Sequence, residues 1–311
     1  MTDNRLTDNR QTVYLCHMQA LVYYLALPFI YLVSILPFPL LYGFSAFVYF
    51  LLYHVFGYRK KVVYQNLKNA FPEKSEAELQ QLQRRFYRYL CDLFTETFKT
   101  LTVRKSVMLK HCYLKPGSGE LFDRLYAGHK HVILVMGHFG NWEWAGNTFS
   151  LTRQHQLHVI YHPLHNKYFD RLIVGMRTRF GTQLIPMKDT MRRMLENRTG
   201  PLTATAFIAD QTPHPDRAYW MEFMHQDTPV FLGAETFAKK LDYPVVYVSV
   251  KRVKRGYYEI GCEVLFENSK ATAEHEITEK HTRRLEQDIR ALPETWLWSH
   301  KRWKHKRPVK A

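Results

Sequence analysis

Along this chain the apolar residues change habit near residue 57. Before it they run together: residues 20–36 carry no charge, Pro37-Phe38-Pro39 interrupts, and residues 40–56 continue with His54 as the one potential charge. Each run lies near the lower length limit for a helix crossing hydrocarbon. The stretch is longer than a signal-peptide core and lacks a small-residue cleavage site. Two membrane arrangements fit: one helix crossing with the next in the interface, or both crossing as a hairpin. A buried helical hairpin of a soluble protein is the bland alternative. Pro28 is compatible with either membrane arrangement. Arg59-Lys60-Lys61 follow at once, and the positive-inside rule puts residue 59 onward in the cytoplasm.

After residue 57 the apolar positions become periodic. Ser75 precedes a Glu-rich turn, and Leu79, Leu82, Phe86, Leu90, Leu93 and Phe94 recur at helical spacing, which predicts a core-facing helix over 75–100. Residues 132–136 form a short apolar run, the mark of a buried strand. Strands are also predicted at 157–161, 203–209, 244–250 and 257–266. Helices are predicted from Asn141 and over 169–180, 190–197, 233–241 and 274–292. Such alternation implies an α/β fold, a mostly parallel sheet flanked by helices, preceded by a membrane-anchoring helical segment. The chain divides into a tail and hydrophobic anchor, 1–57, and a cytoplasmic domain, 58–311. The polar residues 1–11 are expected to be a loose tail.

The strand at 132–136 opens into Gly137-His138-Phe139-Gly140-Asn141-Trp142-Glu143-Trp144. On one continuous helix, residues five apart point about 140° from each other. A strand end, a hinge at Gly140 and a new helix between His138 and Glu143 let the two cooperate. A carboxylate that fixes a histidine's tautomer makes it a general base. The chain has sixteen histidines, and a strand-end His is usually a hydrogen-bonded loop residue. The context favours chemistry here: open α/β sheets bind ligands where strands end, and Gly137 and Gly140 would let backbone approach a substrate. Asp210 and Gln211 follow the strand at 203–209, at the same sheet edge. They are expected to line the cleft or to act as loop hydrogen-bonders. Gly233 opens a helix whose amides could meet an anion, or simply makes a tight turn.

Charge and aromatic content narrow the partners. A net charge of +16 favours an anionic membrane surface, nucleic acid, or a phosphorylated or carrier-protein substrate. Residues 296–310 interleave three Trp with six Lys/Arg, which reads as a segment for anionic headgroups or nucleic acid, or as a solvated basic tail with its Trp residues packed. Cys16, Cys91, Cys112 and Cys262 form no C-x-x-C pair, so a disulfide frame and a zinc knuckle are not expected. No His-Glu-x-x-His run supports a metal centre.

The block 137–143 resembles the His-x4-Asp/Glu motif of glycerolipid acyltransferases. More narrowly, it resembles that of the bacterial lipid A biosynthesis (late, lauroyl/myristoyl-type) acyltransferases. Four further stretches resemble that family in the same order: Tyr58–Glu73; Tyr161-His162-Pro163-Leu164-His165-Asn166 with Phe169-Asp170 and Arg177/Arg179; Ala209-Asp210-Gln211 with Phe231-Leu232-Gly233; and Pro293–Lys304. Many members carry Arg at the position of His162, which is therefore given no ionic role. The resemblance implies transfer of a fatty acyl chain from acyl carrier protein to a hydroxyl of a lipid A precursor. The reaction would run at the cytoplasmic face of a bacterial inner membrane, with no cofactor and no nucleic acid. His138 is then the base and Glu143 its orienter. By resemblance, Arg177 or Arg179 serves the oxyanion or an acceptor phosphate; the amides near Gly140 and Asn141 are further candidates. Arg177 and Arg179, two apart on a helix, cannot both face the cleft. Another lipid acceptor (a lysophospholipid or an aminolipid), an acyl-CoA donor, and a membrane-tethered basic binding protein are the alternatives.

Overall fold

The computed structural model describes the backbone of residues 3–308 and the side chains of residues 17–308. The first helix, α1 (Asp3–Ile35), takes in most of the polar N-terminus, so that segment is helical rather than loose; Met1 and Thr2 lie outside the described residues. Pro37 and Pro39 set the break before α2 (Phe38–Tyr49), Pro39 standing in the first turn, where its missing N–H costs nothing. The helix continues as a π-helical stretch, Phe50–Val55. Next come α3 (Lys60–Ala70), α4 (Glu76–Lys99) and α5 (Lys105–His111). Ser75 and Glu78 start α4 with a reciprocal capping box.

The rest alternates: β1 (Cys112–Leu114), α6 (Ser118–Ala127), β2 (Val132–Met136), α7 (Trp142–Thr152), β3 (Gln156–Tyr161), α8 (Lys167–Thr178), β4 (Gln183–Pro186), α9 (Thr190–Glu196) and β5 (Thr203–Ile208). A hairpin of β6 (Tyr219–Phe223) and β7 (Gln226–Val230) precedes α10 (Gly233–Leu241), β8 (Val245–Lys254), β9 (Tyr257–Phe266) and α11 (Glu276–Ala291). Seven strands form one sheet in the order β1-β9-β8-β2-β5-β3-β4. β2, β3, β4, β5 and β8 run parallel, while β9 returns antiparallel to β8 and carries β1 with it. The sheet is therefore mostly parallel and covered on both faces. Ile133 and Val135 face one core with Phe86, Leu90, Leu285, Trp296 and Trp298; Val132 and Leu134 face the other with Phe122, Trp144 and Phe149. Burial on both sides is why these strands read as continuous apolar runs.

Two departures from the sequence pattern bear on function. Leu79, Leu82, Phe86, Leu90 and Leu93 of α4 are buried, but Phe94 is 54% exposed. The C-terminal tryptophans do not face outward as a membrane segment would. Trp296 and Trp298 are buried, and Trp303 packs beside them, while Lys301, Lys304, Lys306 and Arg307 are exposed and Arg302 is buried.

The N-terminal helices lie along α4. Lys99 donates to the carbonyls of Ser34 (2.9 Å) and Leu36 (2.7 Å), satisfying the end of α1. Tyr42 donates to Glu96 and Ser45 to Asp92. Gly256, at the β8–β9 turn with φ +75°, sits under Tyr42: a Cβ there would lie 1.9 Å from the Tyr42 hydroxyl. His17–Ile35 and Phe38–Val55 are each long and apolar enough to cross a membrane, and little of either is buried.

Candidate active site

Sheet register decides what stands next to His138. Val135 pairs with Phe207 and Met136 with Ile208, and Ala209 N–H donates to the Met136 carbonyl. Two residues further along both strands, His138 faces Asp210. Its Nδ1 lies 2.6 Å from Asp210 Oδ1, and its backbone N–H donates to Oδ2 at 2.7 Å. Trp296 Nε1 donates to the same Oδ2 at 2.7 Å. Burial raises the Asp210 pKa, but the His138 charge and these hydrogen bonds outweigh it and hold the group below the usual carboxylate range. With Nδ1–H given to Asp210, the lone pair of His138 lies on Nε2, where the Gln211 amide nitrogen stands 3.4 Å away.

Glu143, expected to orient His138, is engaged elsewhere. Arg177 donates to it from Nε (2.9 and 3.2 Å) and Nη2 (2.5 Å), and Trp142 Nε1 adds a contact at 3.3 Å. The physical reason is placement: Glu143 lies in the first turn of α7, facing α8, whereas the next parallel strand supplies His138 with a nearer carboxylate. Burial raises the Glu143 pKa, and the Arg177 charge and hydrogen bonds lower it further than that, leaving an ionised pair.

The flanking glycines also serve the protein itself rather than a substrate. At Gly137 a Cβ would lie 2.7 Å from Leu285; at Gly140, where φ is +60°, it would lie 1.8 Å from the Val250 carbonyl oxygen. The strand end must pack this tightly to turn into α7.

The other predicted residues divide. Gln211 and Arg177 line the same cavity as His138 and Glu143. Arg179 does not. It caps α8 and donates to the carbonyls of Thr100 and Val103 after α4. Asn141 is fully buried: its Oδ1 accepts from Trp144 N–H at 2.9 Å as the N-cap of α7, and its amide donates to Glu96. The Gly140 amide donates to Thr295 O, so it is not available to an oxyanion. Gly233 packs on the Phe207 ring and is not among the cavity-lining residues. Trp296, which the sequence left as either membrane-facing or packed, is packed and donates to Asp210; its place in the Pro293–Lys304 stretch was the signal for it.

The cavity is about 460 Å³. Its mouth is polar, with His138, Glu143, Arg177, Gln211, Tyr161 and Asp170. Its depth is apolar, with Leu134, Phe149, Leu157, Ala206, Val248 and Ile260 between the sheet and α7. Volume and lining suit a ligand that is apolar over most of its surface and carries a polar group. Among the described residues no cluster of His, Cys, Asp and Glu is disposed to hold a metal ion. Burial pushes the thiols of Cys91, Cys112 and Cys262 up to about 12, which leaves them poor nucleophiles at neutral pH.

A search of curated proteins gives no match. A family profile described as bacterial lipid A biosynthesis acyltransferase matches residues 9–305, nearly the whole chain. On that match, the chain belongs to the bacterial lipid A biosynthesis acyltransferase family.

Proposed function

We propose that this acyltransferase moves a fatty acyl chain from an acyl carrier protein thioester to a hydroxyl of a lipid A precursor, with His138 as general base. The single observation that carries the reading is the His138–Asp210 pair, with its Nε2 side at the mouth of a cavity whose depth is apolar. Nε2 takes the proton of the acceptor hydroxyl as the oxygen attacks the thioester carbonyl. Asp210 stabilises the imidazolium that forms. The tetrahedral intermediate collapses with loss of the carrier's thiolate, which recovers the proton from His138. The donor is already activated, so no covalent enzyme intermediate is required. General-base assistance of this kind is worth about 10²–10⁴-fold. The acyl tail occupies the apolar depth, and Arg177, anchored by Glu143, supplies positive charge at the mouth for the oxyanion or an acceptor phosphate.

An acidic carrier protein suits a chain of net charge +16, and the exposed apolar helices suit a membrane-bound acceptor. The catalytic domain is taken to face the cytoplasm, where Arg59, Lys60 and Lys61 follow the second helix. The test is the mass spectrum of lipid A from cells with and without the gene, paired with transfer by the purified enzyme from acyl carrier protein and from coenzyme A thioesters. A lipid A mass one acyl chain lighter without the gene, and faster transfer from the carrier, are expected. An unchanged lipid A would move the acceptor to another lipid, and equal rates would remove the carrier from the reading.

A further inference from the structure

A second, far smaller void touches Asp210 but not His138. It measures about 10 Å³, room for one water, and is walled by Asp210, Arg302, His281, Thr282, Phe223 and Leu285 among others. Arg302 is 1% exposed. Its backbone is pinned on both sides: its N–H donates to His300 O at 2.9 Å, and its carbonyl accepts from the Thr212 hydroxyl at 2.8 Å. Its Nε and Nη1, and Nε2 of His281, are buried without a hydrogen-bond partner in the protein. A buried cation is costly unless a carboxylate compensates it. Burial lowers the Arg302 pKa to about 10, and the Asp210 charge offsets part of that, so Arg302 is a cation at neutral pH.

We propose that Arg302 is a positioning residue for acyl transfer: across this one-water void its guanidinium holds the Asp210 carboxylate, which in turn fixes the His138 ring. The inference rests on the general-base reading of His138. Arg302 touches no substrate. It acts by keeping negative charge and orientation at Asp210, and as a nearby cation it opposes protonation of the His138–Asp210 pair.

Other titratable or charged groups near the pair are His281 on α11, His300 and Lys304 on the C-terminal segment, Glu143 with Arg177 at the mouth, and Tyr247 on β8, whose pKa burial raises. Burial pushes both His281 and His300 down to about 4, so neither titrates near neutral pH.

The experiment is a pH–rate profile of acyl transfer by the full-length enzyme in detergent, for wild type, Arg302→Met and Arg302→Lys. Arg302→Met is expected to lower kcat at least tenfold with KM little changed. The acid limb should move upward by about one pH unit, since removing a cation lets the pair hold its proton more tightly. Arg302→Lys keeps the charge and should return the limb toward the wild-type position. A folded Arg302→Met with the wild-type limb overturns the proposal. If that variant does not fold, Asp210→Asn/Arg302→Met decides: it removes both charges and should fold, whereas a double variant that fails equally marks Arg302 as a packing residue and overturns the proposal. Wild-type enzyme without transfer activity would instead defeat the functional reading itself.

Discussion

Asp210 accepts three hydrogen bonds, two from His138 and one from Trp296. A carboxylate so engaged locks the imidazole in the tautomer that leaves Nε2 basic. An amide in its place offers its own N–H to Nδ1 and favours the wrong tautomer, a change that costs on the order of 10⁴ in kcat in a comparable triad. Asp210→Asn is therefore expected to abolish nearly all transfer at saturating substrates while leaving KM close to wild type. Glu143→Gln leaves the tautomer alone and breaks the Arg177 pair, so its loss of kcat should be smaller, and a raised KM should accompany it. A Glu143→Gln enzyme slower at saturation than Asp210→Asn would return the orienting role to Glu143. His138 itself was legible because a strand run, two glycines and a helix start converge on it. Which carboxylate meets it was not. Seventy-two positions separate His138 from Asp210, and only the pairing of β2 with β5 brings them together. Periodicity and spacing along a chain carry no information about register between strands that are not neighbours in sequence.

At the scale of elements, the start of α7 is held by α4 as much as by its own cap. Glu96 is fully buried and accepts from Asn141 (2.8 Å), Tyr258 (2.7 Å) and Tyr42 (2.9 Å), and its carbonyl accepts from Trp144 Nε1. One side chain thus ties α2, α4, β9 and the helix that carries Glu143. Burial is the main cause that raises the Glu96 pKa to about 7, against hydrogen bonds that lower it. A carboxyl with a higher pKa folded than unfolded binds more protons when folded. Its contribution to stability is complete below the unfolded value near 4.5 and is lost as pH rises through about 7. The difference is on the order of 3 kcal/mol. Thermal melts in detergent between pH 5 and 8 should therefore show wild type losing Tm with rising pH, and Glu96→Gln losing clearly less. Parallel slopes would mean that Glu96 releases no proton in this window. None of this network was read from the sequence, since Glu96 sits in a stripe whose apolar neighbours already explain the helix. Long elements were readable for the opposite reason. α4 repeats its pattern over several turns and starts with Ser75 and Glu78, while β1 and β4, of three and four residues, are too short to show a period.

Across the whole molecule, one side of α1 and α2 is occupied and the other is not. The occupied side meets α4 through Ser45, Tyr42 and the Lys99 cap. On the open side, Leu25 is 71% and Phe47 is 56% exposed, in company with Leu21, Phe29 and Leu40. A soluble protein rarely leaves so large an apolar face uncovered, and hydrocarbon is the cover that two adjoining helices of this length and hydropathy fit. Leu25 and Phe47 are mostly exposed, so charge placed there tests the membrane with little disturbance of the fold. An arginine near the middle of a membrane helix costs about 3 kcal/mol on insertion scales. Leu25→Arg/Phe47→Arg should melt near the wild-type temperature in detergent yet lose its hold on hydrocarbon. Its remaining attachment would be electrostatic, through the basic surface of a chain with net charge +16, and such attraction is screened within about 3 Å at 1 M salt. Washing membranes with 1 M salt should then release the double variant and leave wild type in the pellet. Retention of the variant to the same extent as wild type would show that these faces are not what the bilayer holds, and would send the search for the anchor to the residues after α2.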